Sequence, residues 1–225
     1  MKQPKITVVG LGPGRFGLIT LESWQTMQAA SHLVLRTRIH PTVAEIEKRG
    51  LTFSSYDGFY EEAPDFETLY RHIAEDLLRR ATEQGDLVYA VPGSPLVAER
   101  TVVLLRELAK ETDTAVDILP GMSFVEVMYT RLGIDPIDGL TILDAEDVGT
   151  LKERPAQSLV ITQVYDPIIA SDTKLMLMEF YPDEYEVTYI HNLALPDESI
   201  RKIPLYELDR QKDVDHLTSL FVPAQ

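Results

Sequence analysis

The sequence predicts an α/β fold made of two α/β domains, a parallel-sheet N-terminal domain over residues 1–119 and a mixed-sheet C-terminal domain over 120–225. Three observations carry this reading. Short β-branched runs alternate with helical patterns through the first half of the chain, as parallel sheets with crossover helices require. Three of those runs empty into glycine and proline turns of the same form. Beyond Pro120-Gly121 the strands follow one another with few long helices between them, which points to a mixed sheet and places the hinge near that dipeptide.

The elements follow in order. Ile6-Thr-Val-Val-Gly10 reads as a buried strand that breaks into Gly10, Gly12 and Gly14. Thr20 caps a helix whose Leu21, Trp24 and Met27 share one face, and His32 to Thr37 returns as a strand. Pro41-Thr42 opens a shorter helix that stops at Gly50, followed by a brief strand near Leu51 to Ser55. Asp65 caps the clearest helix, with Leu69, Ile73, Leu77 and Ala81 at helical spacing until Gly85. Leu87 to Val91 is a strand, Pro95 to Lys110 a helix and Ala115 to Leu119 a strand. In the second domain Met122 to Leu132 is a helix ended by Gly133. Gly139 to Leu143, Ser158 to Val164, Tyr185 to Leu193 and Leu217 to Val222 read as strands.

Composition bounds the function. With 225 residues, 44% hydrophobic and 25% charged, the chain has the make-up of a soluble globular protein. It has no cysteine, which excludes disulfides and thiolate metal sites. No apolar run reaches the length of a membrane span and no signal pattern opens the chain, so a cytoplasmic location is expected. A net charge of −15 argues against broad nucleic-acid binding.

The first glycine turn invites a cofactor, because glycines let a ligand approach bare peptide groups. A dinucleotide is disfavoured. Arg15 stands where the third fingerprint glycine belongs, Pro13 is wedged into the turn, and the strand ending at Arg36 supplies no ribose-binding acid. Taken alone, the motif is equally an ordinary chain reversal. Its form recurs in Pro92-Gly93-Ser94-Pro95 and Leu119-Pro-Gly-Met-Ser123. Three such turns along the carboxyl edge of a parallel sheet favour a backbone-lined ligand site over three independent turns.

In order and spacing, Val9-Gly-Leu-Gly-Pro-Gly14, Leu18-Ile-Thr-Leu21, Val91-Pro-Gly-Ser-Pro-Leu96 and Leu119-Pro-Gly-Met-Ser123 resemble the tetrapyrrole (corrin/porphyrin) methylase superfamily. Ile142-Leu-Asp-Ala145, Thr162-Gln-Val-Tyr165, Tyr181-Pro-Asp183 and Pro204-Leu-Tyr-Glu-Leu-Asp-Arg210 resemble a subgroup fused to a MazG-type nucleoside triphosphate pyrophosphohydrolase. The resemblance implies two α/β domains with a cleft between them, S-adenosylmethionine bound in that cleft, and a homodimer. Carried onto matching positions, it implies cofactor contacts at Pro13, Ser94, Val97, Gly121 and Met122, beside the turn residues Gly10, Gly12, Gly14, Pro92 and Gly93. In the second domain it adds Gln163, Asn192 and Thr218. One departure is Gly93-Ser94-Pro95, where many catalytic relatives carry Gly-Asp-Pro. No pyrophosphohydrolase pattern is expected here, since the sequence ends at Val222-Pro-Ala-Gln225.

The reading is therefore an S-adenosylmethionine-dependent methyltransferase acting on an unidentified small molecule or protein. The alternative is a methyl-donor-binding module that regulates a pyrophosphohydrolase. Methyl transfer from a sulfonium needs an in-line nucleophile more than a charged catalyst, and no catalytic residue is singled out. Tyr60, Tyr89 and Tyr165 are conceivable cleft groups but more simply packing tyrosines. A polycarboxylate tetrapyrrole would call on Arg15, Arg36, Arg38, Lys152 and Arg154, which form no dense cluster, so it ranks below the unidentified acceptor. Asp144, Glu146 and Asp147 read as a solvated acidic loop rather than a magnesium site, and the five histidines lack metal-ligand spacing. Residues Asp57 to Asp65 read as a mobile flap or an ordinary surface loop. The helical residues Phe124, Val127 and Met128, and Leu175, Met176, Leu177, Met178 and Phe180, leave apolar surface for a homodimer.

Overall fold

A computed structural model describes residues 3–224, apart from the side chains at 61 and 62. Gln225, in the terminal run above, and the side chains of the two acids at 61 and 62 in the 57–65 stretch therefore lie outside what is described. The chain divides into two compact units, Met1–Val127 and Met128–Gln225. The division falls inside a helix rather than at 119/120, because the third glycine turn packs on the first unit's own loops and carries the following residues with it. Among the described residues no helix is long and apolar enough to cross a membrane.

The first unit is a five-stranded parallel sheet of β1 (Lys5–Gly10), β2 (Leu33–Leu35), β3 (Ser54–Ser55), β4 (Leu87–Val91) and β5 (Ala115–Ile118), in the order β3-β2-β4-β1-β5. The three strands that empty into glycine turns, β4, β1 and β5, are therefore neighbours. Side chains alternate between the two faces along each strand. Ile6, Val8, Tyr89 and Val91 join one core, while Val9, Val88 and Ala90 join the other. Helices α4 (Phe66–Gln84) and α5 (Arg100–Ala109) cover the first face, with Leu69, Ile73, Leu77 and Ala81 buried. Each large member of that stripe contributes roughly 2 kcal/mol on leaving water. The second face is covered by α1 (Leu21–Ala29) and α2 (Val43–Lys48) through Met27, Val43 and Ile46.

Caps behave as their sequences require. The Thr20 hydroxyl accepts from the Ser23 N–H at 3.2 Å, and Asp65 accepts from the Thr68 N–H at 2.8 Å. Leu21, expected on the packed face, stays 69% exposed, because the packing row of α1 runs through Ser23 and Met27, four residues apart. Residues 57–65 are not a free flap. Asp57–Glu62 is a helix, α3, whose Asp57 binds the Thr37 hydroxyl at 2.6 Å and the Arg38 N–H at 2.9 Å, while Phe59 and Tyr60 pack on the core. The helix expected from Pro95 begins only at Arg100, because Pro95 lies in a turn closed by Val97 N–H to Ser94 C=O, 3.2 Å, and Ala98 has φ +54°.

The second unit is a mixed sheet of β6 (Leu140–Asp144), β7 (Ser158–Thr162), β8 (Glu186–His191), β9 (Ser199–Pro204) and β10 (Thr218–Val222), ordered β6-β7-β10-β8-β9. Only β6 and β7 run parallel; β10 is antiparallel to both its neighbours, as β9 is to β8. Helix α7 (Pro167–Met178) packs Ala170 and Leu177 against Leu159, Ile161, Tyr189 and Leu220. Sequence reasoning missed β9, an edge strand in which Ile203 alone is buried and no alternation marks the run. Helix α6 (Phe124–Leu132) opens with a capping box, the Glu126 carboxylate accepting from the Ser123 N–H at 2.7 Å and from its hydroxyl.

Candidate functional site

In the first unit the three glycine turns pack backbone on backbone. Gly12 and Gly93 exchange both hydrogen bonds, N–H to C=O at 3.1 and 3.0 Å, tying the turn after β1 to the turn after β4. A Cβ on Gly10 would lie 2.3 Å from the Gly93 carbonyl oxygen, and one on Gly121 would lie 2.8 Å from Pro95 Cδ and 3.2 Å from Ser94 Cα. Glycine is thus required at 10 because the Gly93 carbonyl occupies the side-chain space, and at 121 because the Pro95 ring and the Ser94 backbone do. Gly93 differs: it needs glycine for its φ of +65°, yet a Cβ there would meet nothing within 4 Å. The contacts place Gly10, Gly12, Pro92, Gly93, Ser94 and Gly121 together, with Pro13 and Gly14 continuing the first turn, Val97 the second and Met122 the third.

The other three candidates lie at one edge of the second unit's sheet. Gln163 directly follows β7 and Asn192 directly follows β8, while Thr218 begins β10, which runs antiparallel between them. Thr218 pairs with His191, and the Asn192 N–H donates to the Leu217 carbonyl at 3.3 Å. Gln163 and Asn192 have φ of +60° and +53°. That left-handed conformation is unfavourable for residues carrying a Cβ, less so for Asn, and tends to persist where a site uses it. Asn192 Nδ2 also donates to Asp197 at 2.6 Å, and the buried Thr218 hydroxyl accepts from the Asp215 N–H at 3.0 Å.

Two groups that sequence reasoning did not connect with these turns stand against them. The Arg36 guanidinium binds the Glu99 carboxylate at 2.7 Å, Tyr60 Oη at 2.9 Å and Tyr70 Oη at 3.4 Å. Burial works against its charge, but Glu99 first, and then the phenols of Tyr60, Tyr70 and Tyr89, outweigh that and hold it protonated. Tyr89 is wholly buried, and burial together with Glu99 pushes its phenol up. The second group is His40. Its Nδ1 accepts from the Thr42 N–H at 3.3 Å and meets Thr42 Oγ1 at 2.7 Å, which leaves the proton of the neutral ring on Nε2. Burial lowers its pKa to about 4, partly opposed by the Gly12 backbone. The available signal was the arginine that follows β2, where an acid was sought; nothing in the sequence marks Glu99 or His40 as buried.

Of the other cleft candidates, Tyr60 is committed to Arg36, and Tyr165 is exposed beside Glu146, 3.5 Å away. Asp144 accepts from the Glu146 N–H at 3.1 Å and so caps the short 3-10 turn that follows β6. Two surface cavities, about 470 Å³ beside Phe59, His72 and Asp76 and about 390 Å³ beside Glu146, Ile169 and Met176, are lined by none of the candidate cofactor residues.

The family model for Tetrapyrrole (Corrin/Porphyrin) Methylases matches residues 5–209. Over 97% of its length the chain is 41% identical to the uncharacterized protein YabN of Bacillus subtilis (strain 168), covering 45% of that protein. It is 25% identical, over 98% of its length, to the methyltransferase/ribosomally synthesized cyclic peptide gymnopeptides precursor gymMA1 of Gymnopus fusipes, covering 57% of it. The chain thus spans about half the length of these relatives. Among solved structures, uroporphyrin-III-C-methyltransferase from Thermus thermophilus superposes with a TM-score of 0.76 at 18% identity, covering 99% of this chain and 93% of that one. A second structure of that enzyme, complexed with S-adenyl homocysteine, gives 0.72 at 17% identity, covering 97% and 92%.

Proposed function

Because the chain belongs to the tetrapyrrole methylase family, we propose that it is an S-adenosylmethionine-dependent methyltransferase whose acceptor is a small molecule or a protein. The observation that carries this is the convergence of three glycine turns, with Gly10, Gly93 and Gly121 so close that no Cβ fits at two of them, beside an open space at Gly93. The donor set is peptide groups, which suits an adenosyl and amino-acid ligand held by hydrogen bonds rather than by a metal. Related chains named as methyltransferases, and the fold shared with an enzyme complexed with S-adenyl homocysteine, support the same reading.

When bound, S-adenosylmethionine supplies an electrophilic methyl group on a sulfonium. The chain's own part is orientation. The reciprocal Gly12–Gly93 hydrogen bonds fix two turns relative to each other, so their peptide groups are pre-organised before the ligand arrives. Ser94 leaves the second turn without a carboxylate and offers a neutral hydroxyl instead.

A polycarboxylate tetrapyrrole remains the less favoured acceptor. Arg36 is neutralised by Glu99, Arg38 by Glu47 at 2.7 Å, and Arg154 lies 4.5 Å from the Tyr181 ring centroid. Calorimetry with S-adenosylhomocysteine, S-adenosylmethionine and NAD tests the ligand, and tight NAD binding with no response to the other two would overturn it. Labelled donor supplied with cell extract then identifies the acceptor. Uroporphyrinogen as the dominant labelled product would reverse the ranking.

A further inference from the structure

The second glycine turn, residues 92–98, is held at both ends. At its start Gly93 is tied to Gly12 by two hydrogen bonds. At its end the chain passes through Ala98 at φ +54° and then buries Glu99, whose side chain is 2% exposed. One Glu99 oxygen accepts from Arg36 at 2.7 Å, and the other accepts from the Thr101 N–H at 3.3 Å. Arg36 is itself immobilised. Its backbone N–H donates to the Ala90 carbonyl at 2.9 Å, its Nε donates to Tyr60, and its guanidinium carbon lies 5.3 Å from the Tyr70 ring centroid.

Neither feature serves stability in the simplest way. An apolar pair of similar volume would fill the same space without desolvating two charges. A glycine at 98 would accept the left-handed conformation without the strain that alanine carries there. Two local sacrifices at the same end of one loop point to a demand on that loop's geometry.

We propose that Arg36 and Glu99 are positioning residues, an ion pair that anchors the strained end of the 92–98 turn and so sets Gly93, Ser94 and Val97 for the methyl donor. The inference rests on the S-adenosylmethionine reading, and the test separates the two. Calorimetric binding of S-adenosylhomocysteine by the unaltered protein is measured first, and its absence removes the ligand reading and this inference together. Given binding, Arg36→Met/Glu99→Gln removes both charges while glutamine keeps the helix-capping acceptor. The expected result is a melting temperature within a few degrees of the parent and an affinity weaker by about tenfold or more, a factor worth about 1.4 kcal/mol. Adding Ala98→Gly to that double variant relieves the strain the anchor opposes, and is expected to recover about threefold or more of the affinity. A purely structural ion pair would not respond to glycine at 98. Undiminished affinity in the double variant, failure of that variant to fold, or no recovery on adding Ala98→Gly would each overturn the proposal while leaving the ligand reading in place.

Discussion

The two sheets solve the same local problem in opposite ways. Chain leaving the carboxyl end of a strand turns sharply in both sheets, with φ in the left-handed region. In the first unit the residues that follow the strands and meet the other turns are glycines, Gly12 at +72° and Gly93 at +65°, with Ala98 at +54° farther along the second turn. In the second unit the same conformation is taken by Gln163 at +60° and Asn192 at +53°. Glycine exposes peptide groups and carries no strain there; a residue with a Cβ carries strain and presents a side chain. The first edge therefore offers backbone and the second offers functional groups. On the proposed reading the strained Gln163 stands where glycine would be more stable because its side chain is in use.

The largest effect is expected where glycine is required by contact rather than by φ. Gly10→Ala would drive its Cβ to 2.3 Å from the Gly93 carbonyl oxygen. It is expected to cost about 3 kcal/mol in denaturant unfolding and to abolish S-adenosylhomocysteine binding. Binding with unchanged stability would show that the turns can part freely, and would dissolve the contrast.

Next comes the histidine behind the first turn. Its pKa is about 4 in the folded chain against 6.5 unperturbed, so between those values the unfolded chain binds more protons. Stability is fully present above pH 6.5 and is lost as the pH falls through about 4. His40→Gln is expected to flatten the melting profile over that window by up to about 3 kcal/mol. A wild-type minus variant difference that does not change with pH would remove His40 from the turn's support.

A mirror pair sharpens the comparison directly. Gly93→Ala and Gln163→Gly exchange the two solutions, and unfolding free energies are expected to move in opposite directions, down by about 1 kcal/mol for the first and up by about 1 kcal/mol for the second. Both are expected to weaken S-adenosylhomocysteine binding, the first by filling the open space at Gly93 and the second by deleting the amide. Unaltered affinity in Gln163→Gly would leave the strain at 163 without a functional account.

The smallest effect on the folded chain concerns assembly. Leu175 and Ile168 on α7 are 57% and 72% exposed, whereas Met178 is half-buried. Leu175→Glu is therefore the better probe of the proposed homodimer, with chain stability changed by no more than about 0.5 kcal/mol. Sedimentation is expected to show a species of twice the chain mass that the substitution splits. A 25.4 kDa species persisting at high concentration in the parent would refute the dimer.

Much of this was legible in the sequence, because its determinants are local. The strand Leu87–Val91 and the cap at Asp65 fall where alternating apolar runs and short polar side chains place them. The three turns were readable because Gly and Pro restrict or free the backbone at their own position whatever surrounds them. That is also why the turn residues Gly10, Gly12, Gly14, Pro92 and Gly93 could be named, whereas Pro13, Ser94, Val97, Gly121 and Met122 were named through the family resemblance. What local chemistry could not determine was decided by contacts between distant residues. The order β3-β2-β4-β1-β5, which makes neighbours of the three glycine-ended strands, depends on pairing across the whole unit. Arg36 and Glu99 are 63 positions apart, and nothing near either announces its partner. The start of α5 was misplaced for the same kind of reason, since nothing in the sequence announces a left-handed alanine at 98 between the Pro95 turn and the buried Glu99. Propensity and turn chemistry act through adjacent bonds and can be read one residue at a time. Buried charge and backbone strain acquire meaning only from what the fold brings against them.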